Sequence, residues 1–154
     1  MTAKNTAKDS NMTDIEKAKK LLEEKSASIV LCRGGETTVS DAKGIAPMIG
    51  FIGEKKDLRG FSAADRIVGK AAAMLFVYAG ITEVYAEVLS DAGEKTLKEY
   101  SINYSYGKKC DFIENRMKTG MCPMEQTVEK IDTSEDAYKA LCAKLAELRG
   151  ETKK

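Results

Sequence analysis

The stretch SAADRIVGKAAAMLFVYAG, Ser62 to Gly80, decides how this chain is read. Ser62 with Asp65 three residues later has the form of a helix-opening cap, and Gly80 supplies a stop, so the pattern predicts the strongest helix of the chain over this segment. Beyond Lys70 the run Ala71, Ala72, Met74, Leu75, Val77 and Tyr78 is apolar nearly all round, as in a helix buried at the centre of a domain. Thr82 to Leu89 then alternates and is β-branched, which reads as a strand. Ser90 caps a further helix from Asp91 to about Tyr100, expected to bury Leu97 and Tyr100.

Upstream, Met1 to Met12 is polar and reads as a disordered tail outside the fold. Thr13 and Glu16 form a capping box for a helix to about Lys25, with Ile15, Ala18, Leu21 and Leu22 on its apolar face. Ser28 to Arg33, the pair Gly34-Gly35 and Thr37 to Ser40 read as a hairpin. Arg33-Gly34-Gly35 lacks the spacing of a phosphate loop, so a turn is the better reading. Asp41 to Gly60 is glycine-rich and contains Pro47; its apolar run Met48 to Ile52 reads as another strand or a loop wall.

Downstream, Tyr104 to Ile113 reads as a strand near a sheet edge, since Lys108 and Lys109 interrupt it. A polar loop, Glu114 to Met121, leads to a short helix begun by Cys122 and Pro123, with Glu125 placed to cap it backwards. Thr133 and Asp136 open a last amphipathic helix with the stripe Ala137, Leu141, Leu145 and Leu148, ending at Gly150. A helix after nearly every strand favours an α/β fold, a sheet between helical layers, built as one domain over residues 13–150.

Composition narrows the chemistry. The 154 residues contain no histidine, which removes Ser-His-Asp and Cys-His catalysis and the commonest zinc and iron ligand sets. With 25 basic and 24 acidic residues the net charge is +1, so no bulk field favours nucleic acid or an anionic membrane. The longest apolar run, Ala71 to Ile81, is too short to span a bilayer, and the N-terminus has no signal core, so a cytoplasmic location is expected. Cys32, Cys110, Cys122 and Cys142 stand singly; free thiols are expected, with two disulfides as the alternative in an exported protein. No cofactor is expected.

A hairpin, a buried helix, a strand and a second helix in that order resemble the cytidine deaminase-like fold. DRIVGKAAAML (Asp65 to Leu75) and ENRMKTGMCPMEQTV (Glu114 to Val128) resemble the corresponding segments of the family called domain of unknown function 1893. The resemblance covers roughly Thr13 to Arg149 and implies a three-layer α/β/α fold with a mixed central sheet and no established activity. A zinc deaminase places His-x-Glu or Cys-x-Glu at the start of the buried helix and Pro-Cys-x-x-Cys at the start of the next. Here the first helix is read to begin at Ser62-Ala63-Ala64-Asp65 and the second at Ser90-Asp91-Ala92-Gly93, without a nitrogen or sulfur ligand. Hydrolytic deamination on zinc is therefore not expected, although two helix N-termini aimed at one place would still suit an anion or polar ligand.

Lys70 is the one charge in the apolar stretch, with Arg66 expected one helical turn before it. It reads as a ligand-binding amine, or as a lysine that snorkels or pairs with Asp65 or another carboxylate. Gly69 beside it signals a close approach to the backbone. Cys122, at a helix N-terminus with Arg116 and Lys118 before it, reads as a nucleophile, or as a packed thiol whose activation Glu125 opposes. Asn115, Arg116 and Glu125 make a polar cluster that serves either binding or turn formation. The leading expectation is a metal-free deaminase-like domain that binds a small polar ligand, such as a nucleotide or nucleoside, through Asp65, Lys70, Ser90, Asn115, Arg116 and Glu125. The alternatives are a metal-independent enzyme using Cys122 and a non-catalytic interaction module. An edge strand and Met48 to Ile52 leave a homodimer open.

Overall fold

In the computed structural model, which describes residues 12–150, Ser62–Val68 is the central strand of a sheet. The expected tail lies at residues 1–12, of which 1–11 fall outside the described residues. The elements run α1 (Asp14–Glu24), β1 (Ile29–Arg33), β2 (Glu36–Ser40), α2 (Ala46–Gly53), β3 (Ser62–Val68), α3 (Lys70–Ala79), β4 (Glu83–Ser90), α4 (Asp91–Glu99), β5 (Asn103–Cys110), α5 (Pro123–Val128) and α6 (Ser134–Leu148). The sheet order is β2-β1-β3-β4-β5, with β1 antiparallel to both its neighbours and β3, β4 and β5 parallel. It is a mixed sheet between helical layers, as expected.

The capping pattern at Ser62 and Asp65 thus does not open a helix. Ala63 and Ala64 favour helix in isolation, but here each is paired on both sides, Ala63 with Leu31 and Val84, Ala64 with Val30 and Tyr85. Those ladders satisfy the strand's backbone groups on both edges. The small side chains, both fully buried, let helices approach from either face. Packing therefore overrides local propensity. The helix starts only at Lys70, after Gly69 in extended conformation, and ends at Gly80 with φ 85°, a left-handed cap.

On one face α1 packs alone, Ala18 and Leu22 meeting Val30, Cys32, Ala64 and Tyr85. On the other, α3 is the centre of a larger core in which Met74, Leu75 and Phe76 meet Leu31, Ala63, Val84, Leu97 and Leu141. Arg66 was expected beside Lys70 on a helix. It lies instead on β3, reaching the α1 layer, where its Nε and Nη2 donate to the carbonyls of Ala27 and Leu22 at 2.9 and 2.8 Å and its Nη1 pairs with Glu87 at 3.0 Å.

Residues 46–53 are a helix, neither the strand nor the loop wall expected at Met48 to Ile52. Pro47 in its first turn needs no amide partner, and Ile45, Met48, Ile49 and Ile52 recur at helical spacing against the α3 core. Tyr100, expected to be buried, is 37% exposed, its hydroxyl donating to the Asp132 carbonyl. Leu148 extends the α6 stripe beyond the core and is 54% exposed. The Thr13–Glu16 capping box forms in both directions, and Ser90 caps α4 as read. Among the described residues no helix is long and apolar enough to cross a membrane.

Ala64→Leu adds three carbons between β3 and α1, and we expect a loss of roughly 1–3 kcal/mol of stability from overpacking. Urea unfolding of the variant checks it; an unchanged midpoint would contradict the layer assignment.

Candidate functional site

The parallel strands β3 and β4 deliver their carboxyl ends into α3 and α4, so the two helices begin side by side. A Cβ on Gly93, in the first turn of α4, would stand 2.8 Å from the Val68 carbonyl oxygen and 3.1 Å from the Gly69 Cα. Only glycine allows backbones this close. The helix starts differ in how their free amides are met. At α4 the Ser90 hydroxyl accepts from the Gly93 amide at 3.0 Å.

At α3 the residue before the helix is Gly69, which has no side chain to offer. The cap comes from Glu125 on α5, whose two carboxylate oxygens accept from the Lys70 and Ala71 amides, each at 2.9 Å. A Cβ on Gly69 would sit 2.5 Å from that carboxyl, so the glycine makes room for it. The expectation that Glu125 caps its own helix fails: the carboxylate is spent on the start of α3 instead. It is 8% exposed; burial pushes its carboxyl above the ordinary range, against the pull of the Ala71 and Lys70 amides and the Lys70 charge. The Lys70 ammonium donates to the Glu129 carbonyl at 3.1 Å, so both ends of this residue are tied to the α5 segment. The anion-favouring start of α3 is thus already filled from within the chain.

Glu125 borders two cavities. One, of about 290 Å³, is lined by Asp65, Cys122 and Glu125 with Ile45, Ile67, Ala72, Ile113 and Met124, and Ser28 and Lys43 also border it. The other, of about 270 Å³, is more polar and includes Lys70, Ser90, Lys95, Asp111 and Glu129. The residues singled out from sequence are therefore divided: Asp65 and Cys122 in the first, Lys70 and Ser90 in the second, and Glu125 in both. Asn115 and Arg116 line neither. The Asn115 side chain accepts from the Thr119 amide at 3.0 Å and donates to its hydroxyl at 3.1 Å, which is turn formation, and Arg116 is exposed.

Asp65 pairs across the sheet with Ile29 and Ala86 on the side facing α3. Burial pushes its carboxyl up to about 7, against the pull of the Arg66 and Ile67 amides and the Arg66 charge. Arg66 spends its own hydrogen bonds on the α1 layer. Cys122 is half-buried where the chain enters α5. Sequence reasoning missed the apolar walls Ile45, Ile67, Ile113 and Met124, together with Lys43. They come from separate segments and share no local pattern.

The donor set does not fit the zinc of a nucleoside deaminase. Gly69 and Lys70 stand at the first helix start and Ser90 to Gly93 at the second, and Glu125 is committed to amides. Among the described residues no group of three or more His, Cys, Asp or Glu side chains is arranged to hold a metal ion.

A family model described as "Domain of unknown function (DUF1893)" matches residues 17–145. The crystal structure of a DUF1893 family protein from Thermotoga maritima is similar with a TM-score of 0.74 and 28% identity, over 81% of this chain and 85% of that one. A diaminohydroxyphosphoribosylaminopyrimidine deaminase/5-amino-6-(5-phosphoribosylamino)uracil reductase from the same organism matches with a TM-score of 0.41 and 13% identity, over 61% of this chain and 35% of that one. No curated protein matches.

Two outcomes follow from this geometry. Gly69→Ala and Glu125→Ala should each cost roughly 1–3 kcal/mol, because each breaks the α3 cap. In denaturant titrations the double variant should lose little more than the worse single, and additive losses would show that the two residues act independently. For Asp65 the folded value of about 7 lies above the ordinary 3.8, so the folded state holds the proton that the unfolded state releases. Stability from this group falls as pH rises from about 4 to 7. Asp65→Asn should therefore be more stable than the parent at pH 8, by on the order of 2 kcal/mol once access of water is allowed for, and melt at a higher temperature. That advantage should shrink as pH falls toward 4.

Proposed function

Because the chain belongs to the DUF1893 family, whose description assigns no activity, we propose its function from geometry: it is a metal-free ligand-binding domain whose site is the cavity beside Asp65, Cys122 and Glu125. The observation that carries this reading is the cavity's make-up, apolar walls around the Asp65 carboxylate, which forms no ion pair among the described residues although Arg66 and Lys43 also line the cavity. Small-molecule sites have this form, an apolar enclosure with a few polar groups that set orientation, and a volume of about 290 Å³ puts this one at the small end of their range.

The same make-up narrows the ligand class expected from sequence. Both helix starts are capped by the chain itself, and two carboxylates border the cavity, so a phosphate gains no helix amide there and meets like charge. Uncharged or cationic molecules are favoured, and nucleotides are not. Nucleosides remain the first to try, because the element order read from the sequence resembles a deaminase. Cys122 serves in this reading as part of the wall.

The test uses that thiol as a reporter. Iodoacetamide labelling, mapped by mass spectrometry, should reach Cys122 in the free protein and slow several-fold on adding a nucleoside or other uncharged ligand that fits, while half-buried Cys142 on α6 keeps its rate. The same ligand at a hundred times its dissociation constant should stabilise the fold by about 2.7 kcal/mol. A nucleoside 5′-monophosphate should do neither. Protection by the monophosphate equal to that by the nucleoside, or no protection of Cys122 by any compound that stabilises the protein, would overturn the assignment.

A further inference from the structure

We propose that the cavity at Asp65 takes a small organic cation, an ammonium or amidinium group carried on an apolar body, with the Asp65 carboxylate as its counter-charge. This rests on the reading of that cavity as a ligand site and names the chemistry it selects. Among the described residues no basic side chain forms an ion pair with Asp65. Its neighbour Arg66 pairs with Glu87 at 3.0 Å and holds the carbonyls of Ala27 and Leu22. The Lys70 ammonium rests on the Glu129 carbonyl. The basic side chains that line the cavity are Arg66 and Lys43, and Lys43 is exposed on the segment before α2. Glu125 and Cys122 border the same space and bring no positive charge.

A half-buried carboxylate without a paired cation is costly in the ionised form, and a ligand cation reduces that cost. Glu125 reinforces the choice by adding negative charge while its two oxygens stay on the Lys70 and Ala71 amides, and the Asp65 carboxyl, which accepts from the adjacent Arg66 and Ile67 amides, supplies the counter-charge to the ligand. Ile45, Ile113 and Met124 accept the apolar body, and Ile67, 53% exposed, continues that surface.

The raised carboxyl of Asp65 gives the binding a characteristic pH dependence. A proton and the ligand cation compete for the same carboxylate, so affinity rises with pH until Asp65 is ionised and then levels off, by up to about tenfold per pH unit below that point. A neutral ligand lacks this dependence, and an anion shows the opposite one.

The test compares benzamidine, cationic throughout, with its neutral analogue benzamide and its anionic analogue benzoate, by ligand-observed NMR and calorimetry on the full chain at pH 6 and pH 8. We expect benzamidine to bind at least tenfold more tightly than the other two at pH 8, to weaken about tenfold at pH 6, and to lose its preference over benzamide in Asp65→Asn. Melting curves verify that this variant is folded. Equal binding of benzamidine and benzamide, or undiminished benzamidine binding by the folded Asp65→Asn protein, would overturn the proposal. If a nucleoside shields Cys122 from alkylation while benzamidine neither binds nor shields it, the cation assignment fails and the cavity remains a ligand site. If no compound of either kind shields Cys122, both fail.

Discussion

The contact on which the rest of the site depends is one carboxylate on two amides. Glu125 reaches across from a six-residue helix to take the Lys70 and Ala71 N–H groups, and Gly69 is the vacancy that lets it in. A buried helix start needs its free amides satisfied, and a glycine before it offers nothing of its own. By filling that place the chain fixes where α3 begins, where α5 docks, and which face of each cavity is acidic. It also decides what the protein does not offer, an open helix terminus for an external phosphate.

The second constraint is the width of β3. Helices press on the strand from both faces, and alanine at positions 63 and 64 keeps the layers close. Arg66 then fastens the single helix on the α1 side by its backbone carbonyls, which turns a charged side chain into a strap between a strand and a helix end. Since Arg66 spends its hydrogen bonds on that face, it forms no ion pair with its neighbour Asp65. A strand alternates its side chains, so a charge pair adjacent in sequence is split between two layers. The character of the cavity follows from this separation.

Elements whose signals are local were legible in the sequence. The capping box of α1, the glycine turn of the first hairpin and the Ser90 cap of α4 all act within a few residues of themselves. Ser62–Val68 was not legible, because its two alanines and its Ser-x-x-Asp spacing carry a helical signal that only two neighbouring strands overrule. In residues 46–53, Gly50, Gly53 and Pro47 hid a helical period that Ile45, Met48, Ile49 and Ile52 do display. At the candidate site, Glu125 was visible as a capping residue but was assigned to the nearer helix. Asp65 was selected as a cap and stands in a cavity wall. Asn115 was recognised as polar and loop-borne, and its bonds are those of a turn. The apolar walls come from four stretches of chain, and no single window of sequence contains them.

The Glu125 cap joins residues 55 and 54 positions apart, and this has a temporal consequence. While the chain is being synthesised, α3 and the strands around it emerge well before α5, so the start of the most buried helix waits with two amides unmet. Long-range closures of this kind slow folding, and they leave an unfinished core exposed in the interval. The sheet, whose last strand ends at Cys110, can therefore form outside the ribosome before α5 (Pro123–Val128) is there to close the cavity.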